Sequence, residues 1–164
     1  MAESPGAVIW MKPFDVAFCD TCIGGSTVLR RLARDRSGLR AFFLADYAVN
    51  PLGTRDRPGI RKALEGWVAA AAEKADTVII ACNTASVRLL ETPDIVEKAA
   101  SRGIRVVSMV DLLDRTLASV GPELLGKTVA LMGTEFTVGQ PLYRDRLLAS
   151  GVKEVRPLPA TRTE

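Results

Sequence analysis

The stretch Ala81-Cys82-Asn83-Thr84-Ala85-Ser86 sets a thiol between an apolar run and a series of helix-compatible residues. A thiol at the start of a helix lies among unpaired N–H groups at the positive end of the dipole, which favours a bound carboxylate and the thiolate alike. Thr84 or Asn83 is the expected cap. A thiolate so placed can abstract a proton or act as a nucleophile. The plainer alternative is that Cys82 is a small buried hydrophobe closing a strand. The second chemically loaded stretch is Cys19-Asp20-Thr21-Cys22-Ile23-Gly24-Gly25-Ser26. Its glycines let the backbone approach a ligand closely, and Asp20 can either tune a nearby thiol or cap a helix. It matches neither G-x-G-x-x-G nor a P-loop, so it implies no nucleotide cofactor. Two weaker stretches follow: Asp46 to Thr54, where Pro51-Leu52-Gly53-Thr54 reads as a rigid turn exposing backbone donors, and Gly133-Thr134-Glu135-Phe136-Thr137, where Thr134 or Thr137 can cap a helix.

These residues need elements to hold them. Short β-branched runs read as strands over Asp15–Cys19, Ala41–Leu44, Thr77–Ala81, Arg105–Met109, Thr128–Met132 and Glu154–Leu158. Helices are expected through Leu29–Arg34 and over Ile60–Lys74, the latter with Ile60, Leu64, Trp67, Val68 and Ala71 at helical spacing. Thr92 is a cap candidate before Pro93, and Asp111–Ser119 and Val138–Ser150 are further helices, with Gly121-Pro122 as punctuation between elements. Thr77–Ala81 is almost wholly apolar, as befits a central strand covered on both faces. Such alternation predicts an α/β fold of parallel-sheet βα units with helices on both faces. In such sheets ligands bind beyond the carboxyl ends of the strands. Asp20, Asp46, Cys82, Asp111 and Gly133-Thr134 each follow an expected strand, so they are expected to gather on one edge. Residues 1–100 form the expected first domain, carrying the Asp20 and Cys82 stretches, and 101–164 the start of a second, incomplete one.

Composition narrows the function classes. The chain has 164 residues, 48% hydrophobic and 25% charged, a globular balance. The net charge of +3 and an aromatic content of 5% argue against a nucleic-acid partner and suit a small anion instead. No apolar run approaches the roughly 20 residues that cross a bilayer, and Met1 to Pro13 shows no signal peptide, so no membrane is expected. Three cysteines, an odd number, fit a reducing cytoplasm. The chain has no histidine, which excludes a Ser-His or Cys-His dyad within it and weakens zinc readings. Cys19-x-x-Cys22 has redox-motif spacing, but Cys19 falls inside a strand rather than at a helix start. A metal site from Cys19, Cys22, Cys82 and Asp20 lacks a second ligand pair, and none is expected.

Taken together in order, the four stretches resemble the aspartate/glutamate racemase superfamily, over the amino-terminal part of the glutamate racemases. A-C-N-T-A-S at 81–86 is similar to that family's first catalytic cysteine motif. Asp20-Thr21 with Ile23-Gly24-Gly25 resembles its D-S-G-V-G-G opening, Pro51-Leu52-Gly53-Thr54 its P-Y-G-T turn, and Gly133-Thr134 with Thr137 its G-T-x-x-T segment. The resemblance implies a cytoplasmic isomerase, of the kind that supplies peptidoglycan precursors, acting without cofactor or metal. In it two thiols flank the α-carbon of a small acidic amino acid or dicarboxylate. By that resemblance Cys82 is one acid/base thiol and Asp20 positions or activates it. Asn83, Thr84 and Thr21 hold the carboxylate and amino groups, the turn Pro51, Leu52 and Gly53 meets the side-chain end of the substrate, and Thr134 adds to the binding set. Three departures stand out: Cys22 replaces a family glycine, Leu52 replaces the turn tyrosine, and the family's second cysteine segment, of G-C-T-H-Y-P type, has no counterpart, so the carboxy-terminal part is expected to be lacking. Several readings therefore stay open: a racemase-like enzyme, a one-thiol isomerase or decarboxylase, a homo-oligomer in which a second chain or Cys22 supplies the opposing acid, and a relative that only binds acidic metabolites.

Overall fold

The structure, a computed structural model, describes residues 12–159. The reading of the first residues as free of a signal peptide falls, up to residue 11, outside that range.

Strand β1 (Val16–Asp20) pairs in parallel with β2 (Ala41–Ala45) on one side and β3 (Thr77–Ile80) on the other, and β3 pairs with β4 (Arg105–Ser108). The resulting sheet has the order β2-β1-β3-β4. Strand alternation sends Ala17, Cys19, Val78 and Ile80 into one cluster and Val16, Phe18 and Ile79 into another. The first cluster is covered by α2 (Arg57–Ala72) and α4 (Pro93–Ala100), the second by Val28, Leu29 and Leu32 of α1 (Ser26–Asp35). Helices thus lie on both faces, as the alternation of elements predicts.

The long helix α2 obeys its sequence pattern. Asp56 caps it by accepting from the Gly59 N–H at 3.0 Å, Pro58 sits in its first turn, and Ile60, Leu64, Trp67, Val68 and Ala71 are all buried. Between β2 and α2 the expected loop contains two 3-10 turns, Tyr47–Val49 and Leu52–Thr54.

A second parallel pair, β5 (Thr128–Gly133) with β6 (Glu154–Pro159), forms its own two-stranded sheet. Helix α5 (Met109–Leu124) leads into it, and α6 (Glu135–Gly139) and α7 (Pro141–Ala149) connect its strands. A small core of Val87, Val110 and Tyr143, with Leu131 and Phe136 beside it, joins this part to α3 (Asn83–Leu89). The change of sheet falls between Ser108 and Thr128, later than residue 100, because β4 hydrogen-bonds to β3.

Several local expectations are corrected. Met109 opens α5 instead of ending β4, because Ser108 and Asp111 form a reciprocal capping box there. Gly121-Pro122 does not end an element: α5 runs on to Leu124, since a proline so close to the end removes only one late backbone bond. The helix expected over Val138–Ser150 is broken at Gln140, where Pro141 starts α7. Thr92 precedes α4 without capping it: its hydroxyl donates back to the Leu89 carbonyl at 3.3 Å.

Candidate active site

β1 and β3 are neighbours in the sheet, so the residues that follow them are brought together although 61 positions separate Thr21 from Cys82. The Thr21 hydroxyl lies 3.8 Å from the Cys82 Sγ. Cys82 is itself the cap of α3, its sulfur accepting the Ala85 N–H at 3.5 Å. The expectation that Asn83 or Thr84 caps this helix is therefore corrected: both lie inside it, and their side chains pair instead with Tyr143 and with Thr134 and Thr137.

The thiol's acidity also departs from the expectation. Burial pushes the Cys82 thiol up; the Ala85 N–H and the Thr21 hydroxyl oppose this, while the negative charge of Asp20 adds to it. The net shift is upward. A helix of only seven residues, set in a half-buried place beside a carboxylate, does not offset those costs.

Asp20 is 4% exposed and its carboxylate is taken up by the glycine loop. Its Oδ1 accepts from the N–H groups of Thr21 at 2.6 Å and Cys22 at 3.4 Å, and its Oδ2 accepts from the Gly25 N–H. It folds the loop that carries Thr21. Gly25 is required here, because a Cβ at that position would stand 2.6 Å from the Ala81 Cβ and 2.9 Å from the Asp20 Oδ2.

The fourth stretch comes to the same place. Thr134 caps α6 by accepting the Thr137 N–H, and the Thr84 hydroxyl lies 3.5 Å from that of Thr134 and 3.3 Å from that of Thr137. The turn Leu52–Thr54 approaches from the other side: a Cβ on Gly53 would meet the Phe136 Cβ at 2.9 Å. The guanidinium of Arg88 stacks over the same ring at 4.3 Å, and its buried Nε has no partner among the described residues. Leu52 is 2% exposed and belongs to the core under α2. Pro51 is exposed and its carbonyl accepts from the Thr54 hydroxyl at 3.0 Å, while the Thr54 and Arg55 N–H groups are engaged within the turn.

Of the residues expected on this edge, two have local partners instead. The Asp46 carboxylate accepts from the Trp67 indole N–H at 2.8 Å, and Asp111 is held in the capping box of α5. A groove of about 640 Å³ beside β2 and α2, lined by Asp46, Arg55, Lys62 and Trp67, contains neither Cys82 nor Asp20. Cys19 is fully buried with its thiol pushed up to about 12, first by burial and then by Asp20, so it is not placed to exchange disulfides with Cys22.

Tyr143 joins the site without being singled out by sequence patterns, and Ser86, the last residue of the 81–86 motif, takes a structural part there that the motif does not assign. Tyr143 donates its hydroxyl to Asn83 Oδ1 at 3.0 Å. Ser86, fully buried, donates to the Ile80 carbonyl and accepts from the Met109 N–H, both at 3.0 Å, tying β3, α3 and α5 together. A tyrosine at helical spacing among leucines reads as core, and the body of Tyr143 is core; only its hydroxyl marks it out.

The chain is similar to known proteins over most of its length. No family model matches it. It is 28% identical over 137 residues to glutamate racemase of Synechococcus sp. (strain CC9605), covering 82% of this chain and 46% of the relative. It is 32% identical over 138 residues to glutamate racemase of Paracoccus denitrificans (strain Pd 1222), covering 80% and 51%. The solved glutamate racemase of Campylobacter jejuni subsp. jejuni is 25% identical with a TM-score of 0.71, over 88% of this chain and 56% of that one. That of Aquifex pyrophilus superposes with a TM-score of 0.73 over 91% and 56% at 24% identity, a likeness of fold. The chain spans about half the length of the curated relatives it matches.

Proposed function

Starting from a chain that is a relative of the glutamate racemases over their amino-terminal part, within the aspartate/glutamate racemase superfamily, we propose that it carries one side of an amino-acid racemase site, with Cys82 as a proton-transfer thiol and a small acidic amino acid as substrate. The observation that carries this reading is the 3.8 Å contact between Thr21 and Cys82, which joins two of the motifs at the ends of adjacent strands. The hydroxyl group of Thr84, Thr134 and Thr137 beside it brings in a third.

The chemistry runs on these side chains. The Cys82 thiolate takes the α-proton and becomes a thiol, leaving the electron pair on the α-carbon, delocalised into the carboxylate. Asn83, Thr84 and Thr21 donate to that carboxylate as its charge grows. Asp20 acts by building the loop under Thr21, and its charge makes Cys82 a stronger base once ionised. A proton returned from Cys82 restores the starting configuration; inversion needs an acid on the opposite face. A second copy of the chain that lent such an acid would convert exchange into inversion, so the stereochemistry of exchange reads the partner as well.

The raised thiol favours a second reading, a protein that holds acidic metabolites without turnover. One experiment separates the two. L- and D-glutamate and L- and D-aspartate are incubated with the chain in deuterated water, and the α-hydrogen is followed by NMR. Exchange that disappears in Cys82→Ala is the expected result. Exchange that persists in Cys82→Ala removes the thiol from the mechanism, and saturable binding without exchange establishes the binder.

A further inference from the structure

Tyr143 is buried in the small core with Val87 and Val110, and it sends only its hydroxyl towards the start of α3. That hydroxyl donates to Asn83 Oδ1 at 3.0 Å. Asn83 follows Cys82 directly and is the first residue of α3. An asparagine side chain can turn over, exchanging its acceptor and donor ends, unless a partner fixes it. With Oδ1 held, the Nδ2 donors are left on the free end, where they meet no acceptor among the described residues. Burial, and the nearby charge of Cys82, push the phenol up to about 12, so it stays a donor across the working pH range. Helix α7 is anchored in turn, because Arg146 donates to the Val110 carbonyl at 3.2 Å and pairs with Asp114.

We infer that Tyr143 is a positioning residue for Asn83: it fixes the amide with its NH2 turned to the substrate carboxylate beside Cys82. This rests on the reading of the site as a carboxylate cradle. Tyr143 does not touch the substrate; it decides which end of Asn83 does.

The test uses the full chain and two alkylating probes, with Cys82 followed by peptide mass analysis. Iodoacetate and iodoacetamide react alike, the thiolate sulfur bonding to the methylene carbon as iodide leaves, but only the first bears a carboxylate. The iodoacetate-to-iodoacetamide rate ratio, taken relative to the same ratio for glutathione, is expected above one in the natural chain. In Tyr143→Phe it should fall by about fivefold, the worth of one hydrogen bond, with the iodoacetamide rate unchanged. General loosening would speed both probes and leave the ratio alone. Alongside, the side-chain amide signals of Asn83 in 15N-labelled protein should shift in Tyr143→Phe while those of β1 and β3 backbone amides hold still. A ratio above one that Tyr143→Phe leaves unaltered overturns the inference, as do unmoved Asn83 signals. A natural chain whose ratio equals that of glutathione overturns the cradle itself; shifted Asn83 signals in that case still support the tie between Tyr143 and Asn83, so the two failures are distinguishable.

Discussion

The pairing of β1 with β3 and that of β5 with β6 use the same kind of residue in the same parallel arrangement, yet they are covered very differently. All five residues of β1 are buried, with α1 on one face and α2 on the other. Along β5, exposed and half-buried residues alternate, and Met132 is 75% exposed. On β6, Leu158 is 48% exposed. Thr77–Ala81 and Thr128–Met132 read almost identically as apolar strands. Apolarity thus reports that a segment extends and pairs, whereas cover depends on which helices reach it, and that is set by distant parts of the chain.

Four substitutions or conditions sharpen this contrast. Phe18→Ala, in the fully covered sheet, should cost about 3–5 kcal/mol by chemical denaturation, because the cavity has rigid strands on either side. Gly25→Ala should cost about 1–3 kcal/mol, since its methyl group must displace Ala81 or the Asp20 carboxylate; an unchanged midpoint would mean that the glycine loop has slack. The third test is alkaline. Cys19 ionises near 9 when unfolded and at about 12 when folded, so between these values the unfolded chain holds fewer protons and stability falls as pH rises. The slope should approach about 1.4 kcal/mol per pH unit from this group, and Cys19→Ala should flatten it in urea titrations at pH 8 to 11. Last and smallest, Met132→Ser should alter stability by no more than about 0.5 kcal/mol. A large loss there would show that the outer face of β5 is covered in solution and would erase the contrast.

Much of the first sheet is legible in the sequence because its strands and α2 announce themselves by period and by flanking turns. The position of β1 is read to within one residue at each end, and every residue expected on the inner stripe of α2 is buried, with Ala63 buried beside them. What escapes is decided by single atoms. Met109 is β-compatible by composition, but the capping box at Ser108 and Asp111 has already begun a helix. Gln140 breaks a helix that hydrophobic spacing would carry straight through, because the following proline has no N–H to continue it. At the site, the gathering of Asp20, Thr21, Cys82 and Thr84 follows from strand ends, while Asp46 and Asp111 obey the same rule and turn to Trp67 and Ser108 instead. Tyr143 carries no such signal, since only a fold tells which end of a buried tyrosine meets a polar neighbour.

The sulfur of Cys82 closes the first turn of α3, a task for which serine, threonine and aspartate are far better suited. An oxygen in its place would form a shorter bond to the Ala85 N–H and shed the burden of a buried thiol. On the reading proposed for Cys82, the helix and the chemistry make opposing demands on one atom: whatever strengthens the turn there would disarm the proposed base, and tolerance to substitution, measured by folding alone, would single out this position as one the fold gains by changing.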